Sequence, residues 1–128
     1  FKSCDITQFG AKGDNQTDDT TALQACIDSC VESCFLPSPP IAYRITTSVA
    51  LRSNLSLVLD KNTTIFALQV PYNDTYARAH AANTASARCE TTYWKNTGVL
   101  CGTNLSNVAI FGLDQHTSII DGGGWPWY

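Results

Sequence analysis

The chain has 128 residues, 44% of them hydrophobic and 15% charged, with a formal net charge of −3. That is one domain or part of one, with enough apolar content for a packed core and too much for disorder. There is no Lys/Arg-dense run to suit a nucleic acid, and no stretch of about 18 apolar residues to span a membrane.

Phe1 to Thr7 leads into a first strand, with Ile6 and Phe9 expected to be buried. The polar turn from Gly10 to Thr17 holds two glycines, which take positive φ without steric cost. A helix follows over about 18–33, since Leu23, Cys26, Ile27, Cys30 and Val31 fall on one helical face. Thr17 and Asp18 are candidate acceptors for N–H groups at its start, and Asp18 and Asp19 suit the positive end of its dipole. That makes the Asp18–Asp19 pair a helix cap; a catalytic carboxylate pair is the competing and weaker reading.

Phe35-Leu36-Pro37 and Ile41 to Thr46 read as two strands about a proline-rich turn. Val49, Leu51, Leu55, Leu57 and Leu59 recur in the alternation of a strand with one buried face. Thr63 to Leu68 is a further strand. Asn54-Leu55-Ser56-Leu57-Val58-Leu59 followed by Thr63-Thr64-Ile65-Phe66 is echoed by Asn107-Val108-Ala109-Ile110-Phe111-Gly112 followed by Thr117-Ser118-Ile119-Ile120. Short β runs repeated in kind suit a solenoid whose coils stack. Between the copies lies a loop over about 69–97 with no clear period, in which Ala77 to Ala87 has the composition of a short helix. A loop of this length is usually functional or a lid.

The six cysteines, Cys4, Cys26, Cys30, Cys34, Cys89 and Cys101, are even in number and lack C-x-x-C spacing, so they read as disulfides and not as a metal site. Cys26 and Cys30 share a helix face at i and i+4, where the Cβ geometry does not favour a mutual bond. At least one of them therefore reaches elsewhere, with Cys4 nearest in sequence. Cys89 and Cys101 flank a polar loop and are placed to pair. The N-x-[ST] pattern occurs at Asn15, Asn54, Asn62, Asn73 and Asn104, against roughly two acceptor sites expected by chance for this composition. Together these features point to a glycosylated protein of the cell wall or cell surface, secreted with its leader already removed. Asn15 is the weakest acceptor because it lies inside the turn before the helix.

Two stretches carry a resemblance. F-G-A-K-G-D-x-x-T-D-D-T over Phe9–Thr20, continuing to Ile27, resembles the N-terminal motif of secreted right-handed parallel β-helix proteins of the pectin-lyase-like superfamily, including the polygalacturonases of glycoside hydrolase family 28. Ile120-Asp121-Gly122-Gly123-Gly124-Trp125-Pro126-Trp127 resembles the I-D-G-x-G-x-x-W-W segment of family 28 enzymes. The resemblance implies an all-β fold, namely the first coils of a right-handed parallel β-helix with an N-terminal capping α-helix. It also implies a long insertion near the substrate cleft. Ser38-Pro39-Pro40 departs from the usual L-P-x-G-x-Y turn. Trp125, Trp127 and Tyr128 are candidates to stack on sugar rings, the plainer alternative being that they cover the solenoid edge.

Family 28 catalysis resembles an inverting two-carboxylate scheme, carried on N-T-D, D-D, G-H-G and R-I-K motifs well downstream of the segments matched here. None maps onto this chain. His80 and His116 have no glycine on either side, and Asp60, Asp74, Asp114 and Asp121 lie in turns, where aspartate is favoured for backbone reasons. The chain is therefore expected to hold no catalytic residue, cofactor or metal. A solenoid ending after a few coils would expose strand edges and apolar side chains. The expectation is an N-terminal piece of a longer β-helix, completed by a second polypeptide or C-terminal fragment, within a secreted hydrolase of α-1,4-galacturonosyl links in pectin-type polysaccharide. The alternative is a catalytically inactive, glycosylated structural or carbohydrate-binding module that assembles with partner chains.

Overall fold

The computed structural model describes residues 3–46, 49–67, 100–102 and 104–122. The expected loop over about 69–97, the short helix proposed at Ala77 to Ala87, and the aromatic group Trp125, Trp127 and Tyr128 lie outside the described residues.

The described chain is mostly strand, in parallel sheets, with one α-helix. Its elements are β1 (Ser3–Asp5), a 3-10 turn (Ile6–Phe9), β2 (Asp14–Asp18), α1 (Thr20–Ser29), β3 (Ser33–Leu36), β4 (Ala42–Ile45), β5 (Val49–Ala50), β6 (Leu55–Leu59), β7 (Thr63–Ala67), β8 (Leu100–Cys101), β9 (Val108–Gly112) and β10 (Ser118–Asp121). A first sheet has the order β1-β3-β6-β9, a second β2-β4-β7-β10, and a third pairs β5 with β8. Every pairing is parallel. Each lap of the chain thus visits the sheets in the same order and lays its strands beside those of the previous lap. Ser3 pairs with Ser33, Ser33 with Ser56 and Leu55 with Val108, so successive laps consume 30, 23 and 53 residues. The echo read in the sequence is a direct pairing, with β6 in register on β9 and β7 on β10.

The alternating residues do what their period requires. Leu55, Leu57 and Leu59 of β6 and Thr63, Ile65 and Ala67 of β7 point inward and are buried, with Ser56, Val58, Thr64 and Phe66 between them only partly so. The three leucines, Ile65 and Ala67 join Ile6, Leu36, Tyr43, Ile45 and Val49 in one core. Each large aliphatic side chain so buried contributes about 1.5–3 kcal/mol. The run from Val49 to Leu59 is two strands and not one: Arg52 to Asn54 turn the corner between sheets, and Asn54 has φ +61°.

In the first lap α1 stands where later laps place a strand of the third sheet. Ala22, Leu23, Cys26 and Ile27 face the core. Gln24 ties the helix to β5, its Nε2 donating to the Ala50 carbonyl at 3.0 Å and its Oε1 accepting from the Ala50 N–H at 2.9 Å. The helix is shorter than the periodicity implies. It ends at Ser29, Cys30 is already extended (φ −86°, ψ 131°), and Val31 is 60% exposed, off the apolar face assigned to it. The cause is covalent and topological. Cys30 is bonded to Cys4 and Cys26 to Cys34, and the chain must be extended by Ser33 to pair with β1. Arg52 covers the frayed end by donating to the Ile27 carbonyl at 2.7 Å.

The segment from Asp14 to Asp18, read as turn and cap, is an irregular strand whose pairing with β4 shifts register between its two ends. Gly13, at its entrance, has φ +64°, and a Cβ there would lie 2.5 Å from Pro39 Cβ. Glycine is required both by the backbone and by the close approach of the proline-rich turn.

Candidate functional site

Four ionisable or polar groupings stand out among the described residues. The first is Asp18–Asp19. Asp18 accepts from the Thr20 N–H at 3.0 Å and from the hydroxyls of Thr20 and Thr46, at 2.5 and 2.6 Å. Asp19 occupies the N-cap position without a side-chain capping bond. Its carboxylate, 1% exposed, turns back to accept from the N–H groups of Lys12 and Gly13, both at 3.0 Å. Asp18 thus dresses the helix start, and Asp19 holds the preceding glycine turn. Thr17 does not cap; its N–H and hydroxyl both donate to Asp14.

The second grouping is a pair of matching turns. Asp14 accepts from the N–H groups of Thr17 and Gln16, and Asp114 from those of His116 and Thr117. In each case these backbone bonds hold the carboxyl below its ordinary value. That is the wrong direction for a proton donor, which needs a raised pKa. Neither aspartate is prepared as a general acid.

The third is the rim formed where laps pass from the first sheet to the second. Ser38 Oγ donates to the Asn62 carbonyl at 3.2 Å, the Asn62 N–H to Thr117 Oγ at 2.9 Å, and Ser118 Oγ to the Asp60 carbonyl at 2.9 Å. Lys61, Asn62, Gln115 and His116 are exposed along it. Beneath, Tyr43 donates to the Pro37 carbonyl at 2.6 Å, and burial, with smaller contributions from Asp5, Asp19 and Asp60, pushes its pKa up to about 12. The phenol stays protonated and structural.

The fourth lies at the opposite corner, between the third sheet and the first. Asn54 and Asn107 stack there, the Asn107 amide donating to Asn54 Oδ1 at 3.1 Å. Both have positive φ. The sequence offered a signal for this pair, since each asparagine immediately precedes one of the echoed strands, but it assigned Asn107 no role.

Among the described residues no group of three or more His, Cys, Asp or Glu is placed to hold a metal ion. Disulfides are present as expected, and neither joins Cys26 to Cys30: Cys4 takes Cys30, and Cys26 pairs with Cys34, a bond the sequence had not singled out. Cys101 is also disulfide-bonded; Cys89, its predicted partner, lies outside the described residues, as do His80, Asp74 and Asn73. Asn15, Asn54, Asn62 and Asn104 all sit in left-handed conformation. Asp121 ends β10, and the glycine and tryptophan segment beyond Gly122 is not described.

What these residues define is a stacked parallel-strand fold with one helix in its first described lap and a polar, self-bonded rim, similar to a family 28 polygalacturonase-like protein. No family model matches the chain. Over 127 residues, 97% of its length, it is 32% identical to the exo-poly-alpha-D-galacturonosidase of Dickeya chrysanthemi. It superposes on the family 28 exopolygalacturonase of Yersinia enterocolitica with a TM-score of 0.59 over 87% of this chain, at 21% identity. The chain spans only 20% of the first protein and 19% of the second.

Proposed function

We propose that this chain is the N-terminal, non-catalytic part of a secreted glycoside hydrolase that cleaves α-1,4-galacturonosyl links in pectin-type polysaccharide. Its fold, on this reading, is the opening of a right-handed parallel β-helix. The observation that carries the reading is the match of nearly the whole chain to one fifth of an exo-poly-alpha-D-galacturonosidase. The names of both relatives favour an exo mode, with release from a chain end.

In this reading α1 seals the first end of the stack and the two disulfides fix the first lap. The inverting carboxylates stand on later laps, outside this segment. The far end supports the same view. Leu57 and Ile65 are fully buried, whereas Ile110 and Ile120, which pair with them one lap on, are 45% and 40% exposed. A further lap of chain, contiguous or contributed by a second polypeptide, would cover them.

The test is hydrolysis of polygalacturonate by the complete protein, with products sized by chromatography and their anomeric configuration followed by proton NMR. Release of short products of inverted configuration, with little early loss of viscosity, is the expected result. A correctly folded complete protein that binds the polymer without cleaving it would overturn the hydrolase reading in favour of an inactive binding or structural module.

A further inference from the structure

We infer that Asn54, Asn62 and Asn104 carry N-linked glycans, and that Asn15, although it stands in the same tripeptide pattern, does not. The inference rests on secretion and is independent of the hydrolase reading.

The chemistry selects one atom. In glycan transfer from a lipid-diphosphate-linked oligosaccharide, the sugar C1–O bond to the diphosphate breaks and a C1–Nδ2 bond forms. Nδ2 loses one proton, and the lipid diphosphate leaves. The acceptor keeps its Oδ1 but must have Nδ2 uncommitted and facing solvent. Four of the five N-x-[ST] asparagines fall among the described residues; none of them spends its Nδ2 there, and they divide by exposure and by the bonds of the neighbouring residues. Asn54 is exposed and uses only Oδ1, as acceptor from Asn107. Asn62 is exposed and is bonded through its backbone N–H and carbonyl alone. Asn104 is exposed, and its side chain makes no hydrogen bond among the described residues. Asn107 supplies a control: it is also exposed and left-handed, but its Nδ2 is spent on Asn54, and Val108-Ala109 follows it in place of the required pattern.

Asn15 differs in three ways. It is partly buried, and its Oδ1 accepts from Arg44 Nε at 3.4 Å. The hydroxyl of Thr17, the third member of its tripeptide, donates to Asp14 Oδ2 at 3.0 Å. The N–H groups of Gln16 and Thr17 close on the same aspartate. Those bonds all lie within four residues, so they compete locally for the Thr17 hydroxyl and the backbone of the tripeptide.

All three acceptors stand on turns between sheets, not on the strands that pair from lap to lap. Glycans there leave the stacking direction open.

The experiment is electrophoretic mobility of the complete protein, expressed in its source organism and recovered from the medium, before and after peptide-N-glycosidase treatment. Single variants N15Q, N54Q, N62Q and N104Q are compared with the wild type. One mobility step lost in each of N54Q, N62Q and N104Q, and none in N15Q, is the expected result. Aspartate at positions 54, 62 and 104 carrying ¹⁸O after release in labelled water would identify the atoms concerned. A wild-type protein in the medium that the glycosidase does not shift overturns the inference, as does a step lost in N15Q or retained in any of the other three. A protein recovered only inside the cell and unmodified overturns the secretion reading as well.

Discussion

Asp19→Ala separates a structural aspartate from a catalytic one. The wild-type carboxylate is buried and accepts two backbone N–H bonds of 3.0 Å, from Lys12 and from the buried Gly13. Removing it orphans the buried Gly13 N–H and takes the acceptor from the Lys12 N–H, which is only partly buried. At about 1–3 kcal/mol for the buried group and less for the other, the expected cost is roughly 3 kcal/mol. That is a large part of the 5–15 kcal/mol by which a domain is ordinarily stable. Asp19→Asn keeps one acceptor oxygen but turns an amide N–H₂ toward the second donor, so it should cost about 2 kcal/mol. Asp18→Ala removes bonds that solvent can replace and should cost about 1 kcal/mol. The assay is urea unfolding of the complete, disulfide-intact protein followed by tryptophan fluorescence, with the slope checked for constancy. The order Ala above Asn above the Asp18 variant is expected, with activity per folded molecule unchanged. An Asp19→Ala protein with a wild-type midpoint and no hydrolytic activity would refute the reasoning and restore the pair as catalytic.

Further outcomes follow from the same structure. Gly13→Ala places a methyl against Pro39 at a positive φ and should cost about 2–4 kcal/mol, read as a lowered urea midpoint. Removing Cys4–Cys30 by double alanine substitution should cost about 3.5 kcal/mol, and removing Cys26–Cys34 about 2.5 kcal/mol, because the first closes 26 residues and the second 8; thermal unfolding ranks the two. Asp14 and Asp114 have folded pKa values below the ordinary 3.8. Their contribution is therefore present above about pH 4 and is lost as pH falls through the lower folded values. A D14N/D114N protein should lose less stability on acidification than the wild type, and identical acid limbs would contradict this.

The sequence exposed the fold where one rule governs one element. Leu55 to Leu59 and Thr63 to Ala67 are strands because alternation, burial and pairing agree, and their echo at Val108 and Ser118 pairs as its similarity implied. The helix start was legible from Asp18 and Asp19. Its end was not, because helical periodicity through Cys30 and Val31 is overruled by the bond to Cys4 and by the need for extended chain at Ser33. The strand Asp14–Asp18 was hidden because its residues are turn formers, and it holds its place through pairing with β4. The break at Arg52 to Asn54 was hidden for the reverse reason, an unbroken alternation of leucines. The left-handed asparagines 15, 54, 62 and 104 serve the backbone at turns, a role that the glycosylation pattern masked. Excluding the i, i+4 pair pointed Cys4 toward the helix but did not choose between Cys26 and Cys30, and the Cys26–Cys34 bond was not foreseen. Nor were the roles of Asp19 and Asn107, because each acts across laps or across a loop.

The pairing of β1 with β3, β3 with β6 and β6 with β9, at spans of 30, 23 and 53 residues, has a bearing on how the molecule is made. Every sheet contact is non-local, a feature that slows folding when all strands must find one another at once. Order of synthesis relieves this. The chain emerges N-terminus first, so β3 meets β1 before β6 and β9 have been made. The helix and the two short-range disulfides give that lap a closed shape before β6 is available. Each later lap then adds to a single finished edge, and the search at every step is for one template, not for the whole fold.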